Sequence, residues 1–153
     1  MKDLFKGFIL FLSTGAFTGY APIASGTVGS LVGVALFFPL SHLSILLYLV
    51  TVTAFTFLAI WSADQAQKLF EKQDPSEIVI DEIAGFLVAM AALPCTWQFV
   101  TAGFILFRIF DIIKPFPGRW IDKNIHGGVG IVLDDIVAGV YANVVLQAVR
   151  LIS

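Results

Sequence analysis

The protein is a chain of 153 residues, of which 58% are hydrophobic and 13% are charged. Soluble globular domains carry about 25% charged residues and a smaller apolar share, so the composition excludes that class and indicates an integral membrane protein. The length allows a single domain, predicted over residues 1–153. The net charge of -2 is too small to indicate nucleic acid as a partner, and the lipid bilayer is the expected surrounding.

Three stretches of the chain, residues 7–63, 83–107 and 136–149, contain no Asp, Glu, Lys or Arg. Because backbone polar groups in lipid must be satisfied within their own segment, these stretches predict helices. The first stretch contains the glycine-rich segment 19–30, and its apolar remainder is interrupted at 39–42, which predicts two helices joined by a short turn, the second over 43–63. We therefore predict an all-α, membrane-embedded bundle of about four to five spanning or half-spanning helices.

The polar segment 64–82 comes next and ends in the acidic pair Asp81 and Glu82. The apolar stretch that follows is either one span or a hairpin broken at 93–96. We favour the hairpin, because Pro94 disfavours helix at the residue before it. A hairpin brings the acidic pair to the same membrane face as the 108–111 segment, whereas a single span would separate them.

The connecting segments carry most of the positive charge. Residues 114–128 are rich in proline, glycine and charge and predict an aqueous or interfacial loop, followed by a last helix over about 130–152. Asp74 and its charged neighbours in the 64–82 segment are predicted to form a solvated connecting face. With the hairpin, one side of the membrane receives Lys2, Lys6, Lys68, Lys72, Arg108, Lys114, Arg119 and Lys123. The positive-inside rule makes that side cytoplasmic.

Four polar clusters meet on this side, at residues 26–30, 81–82, 108–114 and 134–135. Unpaired carboxylates at the edge of hydrocarbon repel one another and are poorly solvated, so they require a cation. Oxygen ligands suit Mg²⁺, which is usually held by one or two carboxylates together with substrate phosphate. The predicted metal ligands are Asp81, Glu82, Asp134 and Asp135.

Basic and hydroxyl groups beside these acids predict a phosphate site. Arg108 and Arg119 offer bidentate guanidinium groups, and Lys114 offers a point charge. Gly26 lets backbone N–H groups approach an anion, and Thr27 adds a hydroxyl near the start of a helix. The predicted catalytic residues are Thr27, Asp81, Glu82, Asp111, Asp134 and Asp135.

Other interpretations of these residues stay open. The acidic pairs would serve only as helix caps, and Arg108 and Asp111 only as an ion pair, in a purely structural arrangement. A small transporter would use the carboxylates as an ion or proton relay, although that class predicts charges at all depths of the bilayer and an inverted repeat. A membrane scaffold without catalytic activity would not need acidic and basic residues to converge on one side of the membrane. The lone Cys95 excludes an intramolecular disulfide and is predicted to be an inert turn residue.

The chain resembles the bacterial phosphatidylglycerophosphatase A family in five motifs that occur in order, GYAPIASGTVGS, IVIDEIAGF, FRIFDIIKPFP, RWIDKNIHGG and VGIVLDDIVAGV. The resemblance implies a Mg²⁺-dependent enzyme of the cytoplasmic membrane, with its site facing the cytoplasm, that converts phosphatidylglycerophosphate to phosphatidylglycerol. It implies roles for Gly26, Thr27, Asp81, Glu82, Arg108, Asp111, Lys114, Asp134 and Asp135. The nucleophile is left open between a metal-activated water and an aspartate. Ser25 and Gly118 depart from the residues that the family commonly has at those positions.

Overall fold

The computed structural model describes residues 2–152 as a bundle of helices. This range contains no strand, which confirms the all-α prediction, and its α-helices are α1 (Lys2–Ser13), α2 (Ser25–Leu40), α3 (Ile45–Phe70), α4 (Ile80–Ala89), α5 (Trp97–Ile113), α6 (Gly118–Asn124) and α7 (Gly127–Ile152). Within the same range, α3 and α7 are long and apolar enough to cross a membrane, and α2 is apolar but shorter. The number of spans stays a prediction.

The turn between α2 and α3 lies where the sequence predicts it, and Ser44 caps α3 by accepting a hydrogen bond from the Leu47 N–H at 3.4 Å. The predicted end of that helix near residue 63 is wrong, because α3 continues to Phe70. An ion pair between Asp64 and Lys68, one turn apart, supports the added turn, and Ala66 is fully buried.

The prediction of a loop throughout 114–128 is also wrong, since that segment contains α6. The Pro117 carbonyl accepts hydrogen bonds from the N–H groups of Trp120 and Ile121, which starts the helix. Burial of the Ile121 side chain gives this short helix an apolar contact with the bundle. The last helix begins slightly earlier than predicted, at Gly127.

The predicted hairpin is confirmed: α4 ends at Ala89, the chain turns through residues 90–96, and α5 begins at Trp97. At 1.5 Å per residue, the ten residues of α4 extend about 15 Å, which is half the thickness of a bilayer core. Most of its side chains are buried, with Phe86 and Leu87 in the centre of the core. This half-length helix therefore ends inside the bundle.

A helix that ends among apolar residues leaves carbonyl groups without partners, and α7 supplies donors for them. Asn143 Nδ2 donates to the carbonyls of Ala89 and Ala91 at 2.9 and 2.8 Å. Gln147 Nε2 donates to the Ala91 carbonyl at 3.1 Å, and Arg150 Nη1 donates to that of Ala92 at 2.6 Å. These three α7 side chains, which we call the capping ladder, make the end of α4 possible.

Two glycines set the distance between α4 and α7. A Cβ atom at Gly139 would overlap the Gly85 carbonyl oxygen, and one at Gly85 would crowd the Phe107 ring and the Asp135 carbonyl oxygen. The absence of side chains at these positions allows the two backbones to touch.

We expect Gly139→Ala to lower the thermal unfolding midpoint in uncharged detergent, because the added methyl forces the helices apart at a cost of roughly 1–3 kcal/mol. Gly7→Ala is the matched control: a Cβ atom at Gly7 meets no atom within 4 Å, and alanine favours helix. Equal midpoints for the two variants would contradict the close packing described here.

Candidate functional site

A polar cavity of about 400 Å³ lies at the end of the bundle where α4 and α7 begin and α5 ends. We call it the acidic cavity, because its charged lining residues are Asp74, Asp81, Glu82, Arg108, Asp111, Lys114, Asp134 and Asp135. Gly26, in the first turn of α2, also lines it. Segments far apart in the sequence thus bring six carboxylates and two cations to one place.

The acidic cavity gathers all of the predicted site residues except Thr27 and Arg119. Thr27 does not line the cavity, although its neighbours Ser25 and Gly26 do. Arg119 is exposed on α6, and its Nη2 donates to the Ile113 carbonyl at 3.0 Å. The structure therefore does not place these two residues with the rest.

Among the described residues, Asp81, Glu82 and Asp135 form a group whose carboxylate oxygens lie within 4.8 Å of one another. Asp81 and Asp135 are 8% and 4% exposed. One oxygen of each carboxylate, Asp81 Oδ1, Glu82 Oε2 and Asp135 Oδ2, is buried without a hydrogen-bond partner in the described chain. Buried acceptors of this kind cost free energy unless a cation or donor meets them, so the donor set fits a divalent ion that prefers oxygen.

Asp134, which the sequence places in the metal site, lies outside this group. Its Oδ2 is 2.5 Å from Lys114 Nζ, in an ion pair in which Asp134 is 6% exposed. Because adjacent helical residues diverge, Asp135 turns towards α4 while Asp134 turns towards the end of α5. The two aspartates of one motif therefore have different partners.

Lys114 is held by two carboxylates, because its Nζ also donates to Asp122 Oδ1 at 2.7 Å. Burial alone would lower the pKa of the Lys114 ammonium, but the hydrogen bonds to Asp122 and Asp134 outweigh it and raise the pKa above its ordinary range. Lys114 is consequently a fixed positive charge at the rim of the acidic cavity.

Arg108 supplies the second cation of the cavity. Its Nη1 lies 2.6 Å from Asp111 Oδ2, one turn along α5, and both side chains are largely buried. Its Nε is buried without a hydrogen-bond partner in the described chain, so a donor is available to an anion. A Cβ atom at Gly26 would overlap Glu82 Oε1 and lie 3.1 Å from Arg108 Nη1, so only glycine lets α2 approach this pair closely.

Two charged residues in or beside the acidic cavity could not be recognised as site residues from the sequence. Asp74 is exposed, as predicted for a solvated face, and it also lines the acidic cavity, which the sequence did not predict. Asp122 reaches Lys114 only because residues 118–124 form a helix, and the sequence predicted a loop there. Ser25, one of the departures from the family pattern, donates its hydroxyl to the Ser76 carbonyl at 2.8 Å and links α2 to the segment before α4.

The sequence model of the family described as "Phosphatidylglycerophosphatase A" matches residues 11–150. Among curated relatives, "Phosphatidylglycerophosphatase A" of Escherichia coli (strain K12) is 42% identical over 130 residues, which are 84% of this chain and 76% of that protein. The protein of that name from Haemophilus influenzae is 36% identical over 91% of this chain and 86% of its own length. "Putative phosphatidylinositol-3-phosphatase" of Bacteroides thetaiotaomicron is 37% identical over 91% of both chains. No solved structure matches the chain.

We expect Lys114→Met to lower the thermal unfolding midpoint, because it leaves the buried Asp134 carboxylate without its cation at a cost on the order of 3 kcal/mol. Lys68→Met is the matched control, since the Lys68 and Asp64 side chains of that ion pair are 64% and 41% exposed and contribute little. A midpoint for Lys114→Met equal to that of the control would show that the buried ion pair does not support the fold.

Proposed function

The chain belongs to the phosphatidylglycerophosphatase A family and is an enzyme of that kind, and from this premise we propose the chemistry of its site. The proposed reaction hydrolyses the terminal phosphomonoester of phosphatidylglycerophosphate: water adds to phosphorus, the bond to the glycerol oxygen breaks, and phosphatidylglycerol and inorganic phosphate leave. The proposed cofactor is Mg²⁺, bound in the acidic cavity.

One observation carries this proposal. The acidic cavity holds unpartnered carboxylate oxygens of Asp81, Glu82 and Asp135 together with an unpartnered N–H donor of Arg108, all within the described chain. The unpartnered carboxylate oxygens need a cation, and the unpartnered N–H of Arg108 needs an acceptor. A divalent ion with a bound phosphate group meets both needs. Phosphate bound to a divalent ion is the ligand that this combination fits best.

Each part of the site has a role in the proposal. The metal ligands are Asp81, Glu82 and Asp135, and Arg108 binds phosphate oxygens while Asp111 orients its guanidinium. When bound, the ion supplies a Lewis acid for a phosphoryl oxygen and an activated water. Lys114, fixed by its two carboxylates, adds positive charge where negative charge develops on phosphate.

The proposed surroundings are the cytoplasmic membrane of a bacterium. The large side chains exposed over residues 45–61 of α3 are apolar, with Leu46 72% and Phe57 68% exposed, as lipid contact requires. The acyl chains then stay in the bilayer while the headgroup enters the acidic cavity from the cytoplasmic side. The positive charge of the connecting segments at that end supports this orientation.

The first test measures phosphate release from phosphatidylglycerophosphate by the purified protein in uncharged detergent. We expect release with Mg²⁺ and none after chelation, and a loss of roughly a hundredfold or more in Asp135→Asn and Glu82→Gln, because each removes a charge from the metal site. Glu71→Gln is the matched control: Glu71 is exposed beyond the end of α3, and its variant should keep wild-type activity.

A second readout separates metal binding from folding. Mn²⁺ titrated into the protein and followed by electron paramagnetic resonance should bind to wild type and to Glu71→Gln but weakly to Asp135→Asn. Phosphatidylinositol 3-phosphate is the competing substrate, because one relative bears that activity in its name. Preference for it would overturn the substrate assigned here. Absent release of phosphate from any lipid, together with ion flux in proteoliposomes, would support the transporter alternative instead.

The orientation is testable with the native Cys95, which is exposed in the turn at the end of the bundle opposite the acidic cavity. A membrane-impermeant maleimide added to intact spheroplasts should label it. In a Cys95→Ser chain, Lys72→Cys on the cavity side should be labelled only after lysis. Labelling of both positions in intact spheroplasts would contradict the proposed topology.

A further inference from the structure

A second open groove, of about 420 Å³, lies beside the acidic cavity, between the end of α5 and the helix α6. We call it the cationic groove, because it is lined by Lys114, Arg119 and Lys123 and, within the described chain, by no carboxylate residue. Its remaining walls include the aromatic side chains of Phe116 and Trp120, which are 78% and 53% exposed. The groove thus combines positive charge with a surface suited to the membrane interface.

Lys114 lines both the cationic groove and the acidic cavity, so the two sites are contiguous. Their charges differ sharply: carboxylates dominate one and cations dominate the other. The acidic cavity needs a bound metal ion before it can accept a phosphate, whereas the cationic groove can bind an anion without any metal. A ligand with two anionic groups a short distance apart would place one in each.

The lipid of the proposed function, on which this inference rests, has that form. Its terminal phosphomonoester is separated by a three-carbon glycerol from the phosphodiester that joins the headgroup to the acyl chains. We propose that the cationic groove binds this phosphodiester, and that Arg119 and Lys123 determine specificity by requiring a second phosphate beside the one that is cleaved.

The position of Arg119 supports this role. The bond from its Nη2 to the Ile113 carbonyl holds the guanidinium at the edge of the groove. Since arginine has five N–H donors, this bond orients the group and leaves donors for a phosphate. Lys123, one turn further along α6, adds a flexible charge on the same side. The exposed Trp120 and Phe116 fit the level where glycerol meets the acyl chains.

The test compares two lipid phosphomonoesters in uncharged detergent micelles, phosphatidylglycerophosphate and phosphatidic acid, of which only the first contains a phosphodiester. For the Arg119→Gln/Lys123→Gln double variant we expect kcat/KM for phosphatidylglycerophosphate to fall about tenfold or more, mainly through KM, because two charged contacts are lost. With phosphatidic acid, as substrate or as competing ligand, the variant should stay within about twofold of wild type. Competition by phosphatidylglycerol, which keeps the phosphodiester, should weaken together with the first substrate.

Lys72→Gln is the matched control, an exposed lysine outside both sites that should leave every value unchanged. Arg119→Lys, which keeps the charge but loses the bidentate fork, should retain an intermediate preference. Equal loss on both substrates, or no loss on either, overturns the groove as a phosphodiester site. A defect seen only on anionic vesicles and absent in uncharged micelles overturns it in favour of a general membrane anchor. A wild-type protein that releases no phosphate from phosphatidylglycerophosphate overturns the proposed function itself.

Discussion

The site depends on the burial of a helix that is too short to cross a membrane. Because α4 ends inside the bundle, its final carbonyls need donors, and Asn143, Gln147 and Arg150 of α7 provide them. The glycine contact between Gly85 and Gly139 holds the same two helices together midway. Fixed at one end and in the middle, α4 presents its first turn, with Asp81 and Glu82, at a defined position beside α7.

That placement explains how so many acids coexist at one end of the protein. The carboxylates at this end have different partners: Asp134 and Asp122 share Lys114, and Asp111 is paired with Arg108. Of the other carboxylates, Asp81, Glu82 and Asp135 lie close to one another, and none of them forms an ion pair with another described residue. The protein's own cations therefore form ion pairs with part of the acidic set, and the carboxylates that they leave unpaired include the three whose geometry suits a metal ion.

Local rules in the sequence were enough to predict the helical class, the break near Pro94 and the gathering of the acidic motifs. The break followed from proline chemistry at one residue, and the gathering followed from the break. The sequence did not predict the capping ladder, since Asn143 and Gln147 within an apolar helix reveal no partner until α4 is seen to end. Asp122 was missed for a similar reason, because its contact with Lys114 requires a short helix whose stability comes from tertiary burial of Ile121. Thr27 and Arg119 are predicted with the cavity residues because a motif records order along the chain and not which residues line a cavity.

The two ends of α7 have different roles. Near its start Asp135 belongs to the cluster with Asp81 and Glu82, and further along Asn143 donates to the carbonyl of Ala89 at the end of α4. Eight residues, or about 12 Å of helix, separate these two positions. Inserting or deleting one amino acid between them would rotate one contact away from the other by about 100°, so both cannot be kept. The number of residues between these two positions is therefore fixed by the two contacts together.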